Sequence, residues 1–323
     1  MREERLQTSD FRLQTSESRI QKSEGRGQAG GLLLLSSFVI LFLAGCSTPK
    51  PVALDPEIKG LADSAAAAYH RGEIERAEAL WQKALQRARL IDDRGEIVRN
   101  AYNLGLCRLV AGRYEEAMRV LKQAEALAGG KGVELSRILL AESEAARLEG
   151  VPSESEQRAL EAVAAGADRE GRVQALVLQG EAEFSSGRLL TALEHYRVAT
   201  SILSENTPAL LRARLDELAV HLVQAKLLPG DEAAFMISRA EWLKKAGQYT
   251  MMAVALDGAA NRYAEDSKWE QAFDCRIRAV QSLIAAGRRS EALAMLKKAA
   301  DLAGRTGDAR SKVLVAELAG ELK

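Results

Sequence analysis

One short pattern recurs through the first two thirds of the chain, and it limits the fold more than any other feature. Gly72-Glu73-Ile74-Glu75-Arg76-Ala77 aligns with Gly112-Arg113-Tyr114-Glu115-Glu116-Ala117 and with Gly187-Arg188-Leu189-Leu190-Thr191-Ala192. Each copy has glycine, a bulky residue two later and alanine three after that. Four residues on stands a large side chain (Trp81, Leu121, Tyr196), and three beyond it a small one (Ala84, Ala124, Ala199). The spacing is helical. Glycine lets the chain reverse tightly, alanine lets two helices approach closely, and the bulky residues fill the seam between them. With Gly150 as a weaker fourth copy, the turns fall 40, 38 and 37 residues apart. A helical hairpin of that size cannot bury its apolar face alone, so such units are stable only when stacked on neighbours. Composition agrees. Ala, Leu, Glu and Arg dominate, there are 6 prolines in 323 residues, and aromatics make up 5%. The fold class is therefore all-α.

The most complete unit is Ala101-Tyr102-Asn103-Leu104-Gly105 followed by Gly112 to Ala124. It resembles the tetratricopeptide repeat, and the resemblance implies a right-handed α-solenoid of TPR-like helix–turn–helix repeats. The spacing exceeds the family's ~34 residues, which predicts longer helices or loops such as Asp92-Asp93-Arg94-Gly95. The family's closing proline is missing. In later first helices Gly180 keeps the small position, while Glu142 and Gln179 replace the leucine. After Gly150, Val151-Pro152-Ser153 predicts a helix opening on a capping box from Ser153 to Glu156. Thr207-Pro208 and Pro229-Gly230-Asp231 predict two further helix starts, and a last helix follows Asp308. Turns at Gly247, Ser267 and Gly287 then fall 20 apart, and Ala286 to Leu293 echoes Ala111 to Met118. Six to seven helix pairs over 57–320 are expected, with their phase after residue 205 open.

The first 56 residues have a different character. Gly31 to Ala44 is almost wholly apolar, the length of a signal-peptide core and shorter than the ~20 residues a spanning helix needs. Leu43-Ala44-Gly45-Cys46 at its end resembles a bacterial lipobox. That resemblance implies cleavage before Cys46 and acyl chains on Cys46. Ser47 in place of aspartate implies sorting to the outer membrane, at its periplasmic face in a Gram-negative cell. Residues 1–30 read as an N-terminal extension, consistent with a start codon assigned upstream. They carry a near-duplicate, Arg5-Leu6-Gln7-Thr8-Ser9 and Arg12-Leu13-Gln14-Thr15-Ser16. Residues 31–45 read as the signal core and lipobox, and 46–56 as a lipidated, proline-containing tether. Asp55-Pro56 reads as helix cap and first helical residue, opening a repeat domain over 57–323.

Chemistry is sparse. The chain has 45 Lys and Arg against 45 Asp and Glu, a balance that argues against a nucleic-acid partner, which needs a basic stripe. His70, His195 and His221 lie in no metal-ligand spacing, so no metal and no cofactor is expected. Gly129-Gly130-Lys131-Gly132 lacks the flanking residues of a phosphate loop and reads as a turn. Cys107 and Cys275, several repeats apart, are expected as buried free thiols. Tyr69, Tyr102, Tyr114, Phe184 and Tyr196 fall mostly at packing positions. Arg99, Asn103 and Arg137 are candidate groove contacts, because first helices line the concave face in the resembled family. Some relatives grip a peptide carboxylate there with Asn and Lys; Ala62 and Ala66 stand at the matching first-repeat positions, so that clamp is not assembled. The function this implies is a membrane-anchored periplasmic scaffold in envelope assembly, non-enzymatic, docking an envelope protein or an extended peptide. The rival classes are a peptidoglycan-acting enzyme and a glycan or small-molecule binder in the groove.

Overall fold

The computed structural model describes residues 55–322. The N-terminal extension, the signal core, Leu43, Ala44, Gly45, Cys46, Ser47 and the tether up to residue 54 lie outside the described residues. Among the described residues there are fourteen helices and no strand. They are α1 (Pro56–His70), α2 (Ile74–Leu90), α3 (Arg94–Val110), α4 (Tyr114–Ala128), α5 (Val133–Glu149), α6 (Pro152–Ala165) and α7 (Arg169–Ser185). There follow α8 (Leu189–Ser201), α9 (Ala209–Gln224), α10 (Glu232–Lys245), α11 (Tyr249–Glu265), α12 (Trp269–Ala285), α13 (Arg289–Thr306) and α14 (Ala309–Glu321). No helix among them is long and apolar enough to cross a membrane.

The periodicity comes from helix length. In the most regular stretches a 17-residue helix and a three-residue turn make one unit, as in α2 and α3 with the turn at Asp92. Two such units span the 40 residues between Gly72 and Gly112. The long repeat is thus a matter of longer helices. Arg94 and Gly95, expected in a loop, are the first residues of α3, because Asp93 caps that helix by accepting from the Glu96 N–H at 3.1 Å. The turn residue at Gly72 and Gly112 has φ near +75°, a left-handed conformation that glycine adopts without a Cβ clash. Asp92 and Ser267 hold the same place with φ of +54° and +59°.

Most capping expectations are met. Asp55 accepts from the Glu57 and Ile58 N–H groups at 2.8 and 3.3 Å, Asp231 caps α10 and Asp308 caps α14. The box at Ser153 is a correction. Helix α6 starts two residues earlier than that box requires, on Pro152 with Val151 at the cap position and no side-chain cap bond. Proline's fixed φ suits the first helical position, so Ser153 lies inside the helix, and Glu156 pairs with Arg188.

Consecutive helices pack as antiparallel neighbours, and between α1 and α9 each odd helix also meets the next odd helix. The core is accordingly a series of clusters. One runs from α1 to α5 around Trp81, Tyr102 and Leu121. Smaller ones bridge α5 to α7 and α7 to α9. A last one runs from α9 to α14 around Leu256 and Phe273. Tyr102 is buried, while Tyr69, Tyr114, Phe184 and Tyr196 are half-buried against these clusters. At two places glycine sets the helix approach. A Cβ on Gly105 would stand 2.7 Å from Leu121 Cδ2, and one on Gly180 2.7 Å from Leu218 Cδ2.

A repeated arginine clasp fixes the phase of the pairs. The first residues of α3, α7 and α13 are Arg94, Arg169 and Arg289. Each donates through Nε to a backbone carbonyl at the end of the next helix: Leu127 at the C-terminus of α4, Ile202 after α8 and Leu322 after α14. A guanidinium there satisfies carbonyls that the helix leaves open and complements its negative end. Hence α13 and α14 pair as α3 and α4 do. The echo of Ala111–Met118 at Ala286–Leu293 marks a turn between pairs, although its counterpart lies within one.

Candidate binding face

The odd helices carry most of the buried polar groups. Glu96, Asn100 and Asn103 lie on α3, Glu142, Ser143 and Glu144 on α5, and Gln179 and Glu183 on α7, all buried. Burying such groups is costly unless they are partnered, so their partners define this face.

The largest partnership joins three helices. Glu144 on α5 receives Arg147 of its own helix (Nε to Oε2, 3.0 Å) and Arg214 of α9 (Nη1 to Oε2, 3.1 Å). Glu181 on α7 receives Arg214 Nε at 3.2 Å and lies 3.4 Å from Arg147 Nε. Two anions and two cations thus neutralise one another across α5, α7 and α9. Burial alone raises the Glu144 pKa, but Arg214 and Arg147 outweigh it and hold the carboxyl down at about 2. The lattice fixes the register of three consecutive odd helices, and its guanidinium groups are committed to these carboxylates.

A second group is less well matched. Glu142 on α5 is fully buried. Arg158 of α6 places Nε 3.2 Å from Glu142 Oε2, while its Nη1 serves Glu125 at 3.2 Å and Glu161 at 2.9 Å. Neither carboxyl oxygen of Glu142 makes a hydrogen bond. Burial drives its pKa up to about 8; Arg158 opposes that, and the nearby Glu125 and Glu161 add to it. Next to it, Ser143 Oγ donates to the Ser155 carbonyl at 2.7 Å, tying α5 to α6.

The candidate groove residues fall on α3 and α5, which touch. Arg99 is half-buried and pairs with Glu96, whose own pKa is raised by burial. Asn103 is fully buried, so it belongs to the packing and does not face an open surface. Arg137 is the most open of the three, with a loose 3.9 Å pairing to Asp168 at the start of α7, and its charge reaches Tyr102. The sequence reading missed Glu144, Glu181 and Arg214. Their signal was present as charged residues at the core-facing spacing of first helices, with Glu181 and Arg214 separated by 33 residues.

The remaining expectations resolve locally. His195 Nδ1 lies 2.6 Å from Glu183 Oε2, and His221 stacks on Phe184 with centroids 5.2 Å apart. Gly129 to Gly132 forms the turn between α4 and α5, with Gly129 and Gly132 at positive φ. Cys107 on α3 and Cys275 on α12 are buried free thiols. Burial pushes both pKa values up, that of Cys107 to about 12, so neither is a ready nucleophile.

Residues 60–129 match the tetratricopeptide-repeat family model. That span covers α2, α3 and α4 with most of α1. The solved structures similar to this chain include the apo form of RapI, with a TM-score of 0.51 and 11% identity over 81% of this chain and 79% of that one. Two others have lower TM-scores. A Rap protein complexed with competence and sporulation factor scores 0.39, at 12% identity over 82% and 76% of the two chains. The TPR2AB domain of yeast Sti1 complexed with pHSP90 scores 0.35, at 15% identity over 82% and 98%. At such identities the RapI likeness concerns fold alone, that of an all-α helical-repeat solenoid. No curated protein sequence matches the chain.

Proposed function

We propose that this chain is a lipid-anchored, periplasm-facing scaffold that docks a partner protein or an extended peptide, acting by binding and without catalysis. The observation that carries the binding part is the stack of helix pairs with tetratricopeptide repeats over 60–129. Repeats of this kind present an extended surface built from many equivalent helices, and they serve in general as protein-interaction scaffolds. The anchor rests on the sequence. The run Leu43-Ala44-Gly45-Cys46 follows an apolar stretch, and Ser47 favours the outer membrane. Two or more acyl chains on Cys46 would hold the solenoid stably at a bilayer, each buried methylene contributing about 0.8 kcal/mol. Anchoring raises the local concentration of the docking face for partners in the same envelope layer. Roles in barrel assembly, pilus or secretion assembly and peptidoglycan-synthesis regulation all fit this arrangement.

Intact-mass measurement of the protein extracted from membranes tests the anchor. Wild type is expected to begin at Cys46 with acyl mass attached. Cys46→Ser is expected to retain the residues before position 46 and to carry no lipid. An unlipidated wild-type protein would remove the anchored reading.

A further inference from the structure

The far end of the solenoid carries a feature that repeat packing does not use. Helices α12 and α14 both pack on α13, and a cleft of about 720 Å³ opens between them. Among the described residues no even helix meets the next even helix closely, whereas α3 meets α5 and α5 meets α7, so the space between α12 and α14 lies on the side where the even helices stand apart. The volume lies in the range of sites that hold a ligand or a few side chains, ~300–1,000 Å³.

Its walls have a definite chemistry. From α12 come Glu270, Phe273 and Asp274; from α14 come Arg310, Val313, Leu314 and Glu317, spaced to lie on one helix face. Asp308 also lines the cleft, but its carboxylate is committed to capping α14, accepting from the Arg310 and Ser311 N–H groups at 3.1 and 3.2 Å. Among the described residues no ion pair holds Glu270, Asp274 or Glu317, and all three are exposed. Four cations of α12 and α13 are engaged elsewhere. Lys298 lies 2.7 Å from Asp257, Arg276 lies 3.2 Å from the same carboxylate, and Arg305 stacks over the Trp269 ring at 4.8 Å. Arg289 is held by the clasp on Leu322. Arg310 is the single cation in the lining, against four carboxylates. Phe273 is buried behind the acidic rim, and Val313 is 57% exposed.

We propose that the cleft between α12 and α14 docks a short segment of a partner protein in which lysine or arginine flanks apolar side chains. The inference rests on the scaffold reading above and names a place and a chemistry for it. The apolar residues would cover Val313 and Leu314, and the cations would meet Glu270, Asp274 and Glu317. Charge complementarity of this kind governs partner choice and association rate more than affinity, so binding should weaken as salt rises.

The test uses the full chain with two fluorescein-labelled peptides, AKLLKA and its acidic counterpart AELLEA, read by anisotropy. The basic peptide is expected to bind saturably and the acidic one not at all. The triple variant Glu270→Gln, Asp274→Asn, Glu317→Gln is expected to weaken binding about tenfold. These residues are exposed and unpaired, and an unchanged melting temperature would confirm that the variant folds. Hydrogen exchange with the basic peptide is expected to slow over 270–274 and 310–317. Equal binding by wild type and variant, protection confined to other helices, or no saturable binding of the basic peptide would each overturn the cleft. An envelope partner captured stoichiometrically by wild type and triple variant alike would overturn the cleft and leave the scaffold reading standing.

Discussion

Glu142 and Glu144 stand two residues apart on α5 and meet opposite fields. Both are buried, and burial penalises a carboxylate. Glu144 has Arg214 and Arg147 at hydrogen-bond distance and is held at about 2. Glu142 shares a single guanidinium with two other carboxylates and rises to about 8. The consequences for stability have opposite signs. The folded pKa of Glu142 lies above its ordinary 4.5, so its carboxyl favours the folded state at low pH and that benefit is lost as pH rises through about 8. Glu142→Gln is expected to leave stability nearly unchanged at about pH 4 and to raise it by about 1–3 kcal/mol near pH 8. Urea unfolding across that range measures it, and a difference independent of pH would contradict the account. The folded pKa of Glu144 lies below 4.5. Its contribution is present above that value and is lost as pH falls through about 2. Arg214→Ala leaves Glu144 and Glu181 sharing Arg147 as their one remaining cation and is expected to cost about 3–5 kcal/mol, read from the same unfolding curves. A loss below about 1 kcal/mol, as for an exposed pair, would mean that the lattice is not the register lock described.

At the scale of the element, the unit is one helix and one short turn, and the turn residue decides how comfortably it closes. Gly247 and Ser267 occupy equivalent turns with φ of +73° and +59°. Only glycine adopts that conformation without strain. Ser267→Gly is expected to stabilise the protein by about 0.5–1 kcal/mol and Gly247→Ala to destabilise it by about 1 kcal/mol. Thermal melts of the two variants check this, and shifts of the same sign would contradict it. Helix identity and most caps were legible in the sequence because glycine, proline and aspartate act locally at helix ends. The box at Ser153 was misread because Pro152 competes for the same helix start. Phase was not legible because the turns at Gly247, Ser267 and Gly287 are equally short, although the first and last lie between pairs and the middle one within a pair. The arginine clasp that settles phase links residues 33 apart, and a local pattern does not show it. The candidate site was legible only in part. Arg99, Asn103 and Arg137 were placed on first helices, but whether a polar residue on such a helix faces outward depends on the partner that reaches it from the next repeat. Asn103 proved buried, and the Glu144–Arg214 pairing spans 70 residues.

Over the whole molecule, stability is distributed. Clusters follow one another from α1 to α14, so neighbours support each repeat and no single centre holds the fold. Such an object offers surface in proportion to its length, which suits docking. The central claim is that this surface works for a partner from a membrane anchor. The direct measurement is a pull-down from detergent-solubilised membranes, comparing wild type with Cys46→Ser and quantifying co-purified proteins by mass spectrometry. The account predicts one envelope protein at near-stoichiometric amount with wild type and its loss with Cys46→Ser. Equal recovery of a partner by both proteins would contradict the role of the anchor, and no stoichiometric partner with either would contradict the scaffold.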